Sequence, residues 1–242
     1  MPRFYLDGPL DRPKVTLSGS EAHHLAHVLR AGPGERVLLF DGRGTEAEAE
    51  VAAVSRRDVE LNVLDHRTVP GPRRPIVLGT AVPKGDRFRW LVEKATELGV
   101  ARLVPLRTER SIVDPGAGKL GKLRQTMIAA CKQCGLSRLM EIDPVTAWEE
   151  FVSREIGGRS ALMGVPGAPP FAAGMLADPA DGPIVLAIGP EGDLTPDEVQ
   201  QAIAAGAQPV GLGPNVLRVE TAGIALAACV TAATSGCVGG FG

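Results

Sequence analysis

Two glycine-bearing stretches hold the residues best placed to do chemistry: Gly189-Pro190-Glu191-Gly192-Asp193 and Gly211-Leu212-Gly213-Pro214-Asn215-Val216-Leu217-Arg218. Each leaves an apolar strand pattern and enters a helical one. In an open α/β sheet, the crevice beyond the carboxyl ends of the strands is where backbone amides and helix N-termini are free to meet a ligand. Glycine allows the backbone to approach that ligand closely. Neither stretch is a standard nucleotide motif: there is no G-x-x-x-x-G-K-[ST], and Gly211-x-Gly213 lacks a third glycine. Taken singly, each also reads as helix caps and turns.

Other constellations are weaker. His23 and His27 stand one helical turn apart with His24 between them, a spacing metal ligands use. No carboxylate or cysteine completes a ligand set there, so no metal is expected. Cys131-x-x-Cys134 has redox or half-zinc spacing. Cys229 and Cys237 are not spaced as a second pair, and small buried residues are the plainer reading. Four cysteines in 242 residues do not make a disulfide framework. With no signal peptide pattern and no apolar run of roughly 20 residues, a soluble cytoplasmic protein with reduced thiols and no membrane contact is expected.

The net charge of −2 conceals a strong polarity. Residues 84–138 hold 12 Lys+Arg against 5 Asp+Glu, a surplus of +7, while residues 139–242 hold 3 against 12, a deficit of −9. Exposed charges are screened beyond about 10 Å, so a basic segment can attract a polyanion locally within an acidic whole. A solvated helix face explains the same numbers.

The elements that must position these residues fall into two groups. Ala47, Ala49, Val51 and Ala53 alternate with glutamates, and Val59, Leu61 and Val63 repeat the period of two, predicting half-buried strands. With Val37–Phe40 and Phe4–Leu6 they suggest a small barrel over residues 1–70. It is interrupted by a helix from about Ser20, a capping residue, to Leu29, with Leu25, Val28 and Leu29 on its buried side. The Pro- and Gly-rich residues 67–75 form a boundary. From there to residue 242, short apolar strands alternate with helices, the mark of an α/β sheet. Gly99 is expected to close a helix begun near Asp86. Thr195-Pro196-Asp197-Glu198 combines an N-cap, a first-turn proline and a capping-box glutamate.

With Arg218-Val219-Glu220-Thr221-Ala222 after the second loop, the two loops resemble the cofactor loops of the SPOUT methyltransferases, in particular the RsmE branch. The resemblance extends to His24-Leu25-x-x-Val28-Leu29-Arg30, to Lys84-Gly85-Asp86 through Glu97-Leu98-Gly99, to Glu109-Arg110-Ser111 and to Lys132-Gln133-Cys134, and so covers nearly the whole chain. It implies an N-terminal PUA-like β-barrel that binds RNA, a C-terminal α/β domain with a deep trefoil knot, and a homodimer. It further implies S-adenosylmethionine as cofactor, and methylation of uridine N3 in the 16S RNA of the small ribosomal subunit.

Carried over by position, the resemblance sets the cofactor against Gly189, Pro190, Glu191 and Gly192, against Leu212, Gly213, Val216 and Leu217, and near Thr221, with Met163 lining the same pocket. Arg218 is the first candidate to stabilise charge that develops as uracil loses its proton, with Glu220 beside it. A structural pairing of Arg218 with Glu220 or Glu191 is the alternative. A carboxylate at a helix N-terminus stays ionised and is a weak base, so the general base is unassigned. Arg3, His24, Arg30, Lys84, Arg87, Arg110, Lys132 and Arg138 match or adjoin family positions for RNA contact. The chain departs from its relatives at Leu136, where many carry arginine, with Arg138 two residues further on. Rival readings are another SPOUT branch, acting on ribose or guanine, and an RNA-binding module without catalysis.

Overall fold

The period-two segments of the first seventy residues do form strands. A computed structural model describes residues 1–112, 117–176 and 182–234, without the side chains of 117–121. Its contacts divide the chain into two compact units, Met1–Gly71 with Ile128–Leu139, and Pro72–Met127 with the chain from Met140 onward.

The first unit contains β1 (Arg3–Tyr5), β2 (Lys14–Ser18), α1 (Gly19–His23) running into a π-helical turn His24–Val28, β3 (Arg36–Phe40), β4 (Thr45–Val54) and β5 (Asp58–Thr68). The strands form a curled half-barrel in the order β1-β3-β4-β5-β2. β1 pairs parallel with β3, and the other pairs are antiparallel. Ala47, Ala49 and Val51 face the core with Val59 and Leu61, but a bulge between Val51 and Ala53 turns Ala53 to solvent. A bulge does this because one extra residue reverses the side on which the alternation falls.

The helix in this unit departs from expectation. Ser18 is the N-cap, without a side-chain bond, and Ser20 lies inside the helix. Leu25 is fully buried, whereas Val28 and Leu29 are 60% and 46% exposed. The reason is the widened turn: Leu29 N–H donates to His24 O, five residues back, so residues at i+3 and i+4 no longer stack over Leu25.

Residues 128–139 complete this unit. Ile128, Cys131, Leu136 and Leu139 pack on Tyr5 and Phe40. Gly44 N–H donates to Ser137 O at 3.0 Å, and Leu139 N–H to Gly42 O at 2.9 Å. Buried Glu46 accepts from Arg3 at 3.0 Å, from Arg67 at 2.7 Å and from the Ser137 hydroxyl. Burial pushes this carboxyl's pKa up, yet the three donors outweigh it and hold the pKa below its ordinary value. A depressed carboxylate stabilises the fold above its unfolded pKa, and that stability is lost as pH falls through the folded one. Glu46→Gln should therefore melt below the parent at pH 7, with the gap narrowing as pH drops below about 4.5. Melting curves across pH check this, and a gap that widens in acid would contradict it.

The second unit contains β6 (Ile76–Ala81), α2 (Arg87–Glu97), β7 (Arg102–Arg107), the first part of α3 (Ala117–Cys134), β8 (Glu141–Ile142), β9 (Thr146–Ala147) and α4 (Trp148–Phe151), which continues into a π turn. After these come β10 (Ser160–Gly164), β11 (Ile184–Ile188), α5 (Pro196–Ala204), β12 (Gln208–Val210) and α6 (Val219–Thr234). The sheet runs β12-β10-β11-β6-β7-β8, with β9 also on β7, and every pair is parallel. Parallel sheets are covered on both faces, which is why β6 and β11 are buried at every position. Leu78 meets α6 at Gly223, while Val77, Val185 and Met163 meet Trp148 and Phe151 on the opposite face. Gly99, at φ +74°, follows α2 as expected. Thr195 and Glu198 form the expected reciprocal capping box of α5. Among the described residues, no helix is long and apolar enough to cross a membrane.

Candidate active site

Because β10, β11 and β12 run parallel, their carboxyl ends lie side by side, and the loops that leave them enclose a cleft with the first turn of α6. Its walls are Gly164–Gly167 after β10, Ile188–Pro190 and Asp193 after β11, Leu212–Leu217 after β12, and Val219 and Ala222 of α6. Close backbone approach explains two of the glycines. A Cβ on Gly211 would lie 2.2 Å from Ala168 O, and Gly211 N–H donates to Pro169 O at 2.8 Å. A Cβ on Gly189 would lie 2.9 Å from Leu194 Cγ. At Gly211 the obstacle is backbone, which no rotamer change relieves. Gly211→Ala should cost ~1–3 kcal/mol, seen as a lower denaturation midpoint at unchanged slope; an unchanged midpoint would show that this loop yields freely.

Of the loop residues singled out from sequence, Gly189, Pro190, Leu212, Gly213, Val216 and Leu217 line the cleft. Val216, 83% exposed, presents its apolar side chain to solvent there. Glu191 and Gly192 are exposed beside the cleft and are not among its lining residues, and Thr221 is exposed on α6. Met163 does not line the cleft. It is fully buried in the core against Trp148 and Phe151, and its neighbour Gly164 is the lining residue, because successive strand residues face opposite sides. Sequence reasoning missed the Val165-Pro166-Gly167 wall. No motif marks it, and only the pairing of Gly164 with Val210 places it opposite the second loop.

The charged groups are less uniform. Arg218 is exposed. Glu220 is 6% exposed; its Oε1 lies 3.9 Å from Arg87 Nη1 and its Oε2 is buried without a hydrogen bond among the described residues. The ion pair of Glu220 is thus with Arg87, a residue of α2, and not with Arg218. Lys84 is exposed in the loop after β6. Arg110, after β7, donates to Gly192 O at 2.7 Å.

In the first unit, several residues read as RNA contacts are engaged internally. Arg3 is spent on Glu46, Leu136 O and Ser137, and its cation lies 5.3 Å from the Phe40 ring centre. Lys132 donates to both oxygens of Glu21 and sits over Phe4. Arg138 donates to Arg43 O and Val69 O, bracing the β3–β4 turn and the end of β5. As placed, both guanidiniums bond to protein acceptors, Arg3 part-buried and Arg138 exposed. His24 is half-buried, edge-on to Phe4, and Arg30 is exposed at φ +57°.

Cys131 is buried, its thiol pushed up to about 12 by burial, and it donates to Arg138 O at 3.5 Å. Such a thiol is not a nucleophile near neutral pH. Cys237 lies outside the described residues. The rings of His23 and His27 are 4.9 Å apart, and among the described residues no three His, Cys, Asp or Glu side chains gather as a metal site.

Residues 70–231 match the family described as RNA methyltransferase domain, and residues 17–64 match the RNA methyltransferase PUA domain. A ribosomal RNA small subunit methyltransferase E from Synechocystis is 32% identical over 213 residues, 86% of this chain and 69% of that one. One from Mycobacterium bovis is 30% identical over 240 residues, 96% and 92% of the two chains. The solved structure of the Neisseria gonorrhoeae enzyme of that name, bound to S-adenosyl methionine, matches with TM-score 0.85 at 33% identity over 96% of this chain and 97% of that one. The chain therefore belongs to the RNA methyltransferase family, in its small-subunit ribosomal RNA methyltransferase E branch.

Proposed function

We propose that this protein transfers a methyl group from S-adenosylmethionine to N3 of a uridine in the 16S RNA of the small ribosomal subunit. It works as a homodimer in which residues 1–70 help hold the RNA and residues 75–242 carry the reaction. The observation that carries this reading is the cleft beyond β10, β11 and β12, with its exposed loop backbone and apolar side chains.

The residues present fit such a cofactor. Gly189 and Gly213 bring bare loop backbone to the cleft, and Leu212, Val216 and Leu217 offer an apolar wall to a purine face. When bound, S-adenosylmethionine supplies an electrophilic methyl carbon on a positively charged sulfur. The chain's own part is to hold the reactants and manage charge. Fixing nitrogen, carbon and sulfur in line is worth roughly 7–11 kcal/mol when a bimolecular step becomes effectively unimolecular. As the N3 proton leaves, negative charge spreads onto the uracil carbonyl oxygens, and Arg218 provides a cation just before α6 to stabilise it. Exposed Lys84 and Arg30 suit phosphate contacts, which position RNA without reading its sequence. The target base must be splayed out of the folded RNA to reach the cleft.

The test is transfer of labelled methyl from S-adenosylmethionine to small subunits lacking the modification, followed by digestion to nucleosides. Label in 3-methyluridine is expected. Label in another nucleoside overturns the uridine assignment, and no label despite cofactor binding leaves an RNA-binding module.

A further inference from the structure

The cleft loop after β11 closes on itself through Asp193 N–H donating to Pro190 O at 2.9 Å, and Asp193 sits at φ +57°. Asp adopts that left-handed region more readily than most non-glycine residues, so the loop turns tightly at this point. Two tethers reach this loop and the start of α5 from the short turn after β7. Glu109 N–H donates to Oε1 of buried Glu198 at 2.9 Å, while Oε2 of the same carboxylate accepts from Thr195 N–H at 2.8 Å. Arg110 Nη1 donates to Gly192 O at 2.7 Å, in the peptide that joins Gly192 to Asp193. The turn is itself pre-formed, since Thr108 N–H donates to Ser111 Oγ at 2.9 Å and Ser111 N–H to Thr108 O at 3.1 Å. β6 lies between β7 and β11 in the sheet, so these bonds reach across a strand end to join two loops that the sheet alone leaves unconnected.

We infer that Arg110 is a positioning residue for the cofactor loop. It shapes Gly189, Pro190 and Asp193 by fixing the carbonyl of Gly192. A charge-assisted bond to a carbonyl is among the stronger kinds, and it orients the peptide as well as stabilising it. The functional side of the inference rests on the cleft being the S-adenosylmethionine site; the tether itself does not.

The experiment compares the parent with R110A and R110K in the full chain. Amide hydrogen exchange of residues 189–194 in the free protein should quicken several-fold in R110A and return toward the parent in R110K, because lysine still donates. Calorimetry should show S-adenosylmethionine affinity falling about five- to tenfold in R110A, while affinity for a 16S RNA fragment and its salt slope stay as in the parent. Unchanged exchange, with RNA affinity reduced and the salt slope smaller by about one, would overturn the inference and restore Arg110 to the RNA contacts. If the parent binds no S-adenosylmethionine, the cofactor reading fails, and the exchange comparison still decides the tether.

Discussion

Arg218→Ala should slow methyl transfer by about 10²–10³-fold, the loss typical of removing one fixed group that stabilises developing charge. S-adenosylmethionine affinity should change by less than about threefold, because an interaction made only in the transition state lowers the rate without weakening ground-state binding. The placement of Arg218 motivates this split. It stands between the cleft-lining Leu217 and Val219 without being a lining residue itself, and its side chain is exposed. The neighbouring carboxylate, Glu220, is paired with Arg87 and not with it. Single-turnover rates at saturating RNA, set beside calorimetric cofactor affinity, separate the two effects. An equal loss in both would make Arg218 a binding or structural residue. Arg218→Lys should recover part of the rate, since it keeps the charge and loses the planar fork.

A chain ended at Gly71 should show no cooperative thermal transition. Residues 1–71 contain all five strands of the half-barrel, and by composition look like a domain, yet one wall of that unit comes from residues 128–139. Without them Tyr5 and Phe40 lose Ile128, Cys131, Leu136 and Leu139 as cover. Glu21 loses Lys132, and Arg3 and Glu46 lose the Ser137 hydroxyl. Uncovering those apolar side chains costs about 25 cal/mol per Å², and each lost hydrogen bond about 0.5–1.5 kcal/mol net, in a segment whose size is already marginal for independent folding. Far-ultraviolet circular dichroism on heating checks this; a sharp sigmoidal melt would show that 1–71 suffices.

The same segment accounts for the Leu136 departure noted in the sequence. Leu136 packs with Tyr5 and Phe40, and Arg138 holds two barrel carbonyls. An arginine at 136 would bring a charge toward that apolar contact, so within this chain leucine is the residue that the packing favours.

What the sequence determined by itself is what depends on near neighbours. The capping box at Thr195–Glu198, the glycine after α2, the alternation in β4 and β5 and the loop positions after apolar strands all express interactions within a few residues, so their pattern is written locally. The basic character of 84–138 was also legible, as a sum of charges. The tertiary structure alone decided which way residues face and whom they meet. Met163 and Gly164 differ by one position, and in a strand buried on both faces no polar alternation tells the core side from the cleft side. The π turn after α1 inserts a wider step that reverses the exposure of Val28 and Leu29 without any change in composition. Arg3, Lys132 and Arg138 carry the charge expected of phosphate contacts, and the acceptors they meet within the chain come from 43 to 134 residues away. Which acceptors a cation meets within the chain is decided by the tertiary fold, because residues so far apart in sequence leave no local pattern.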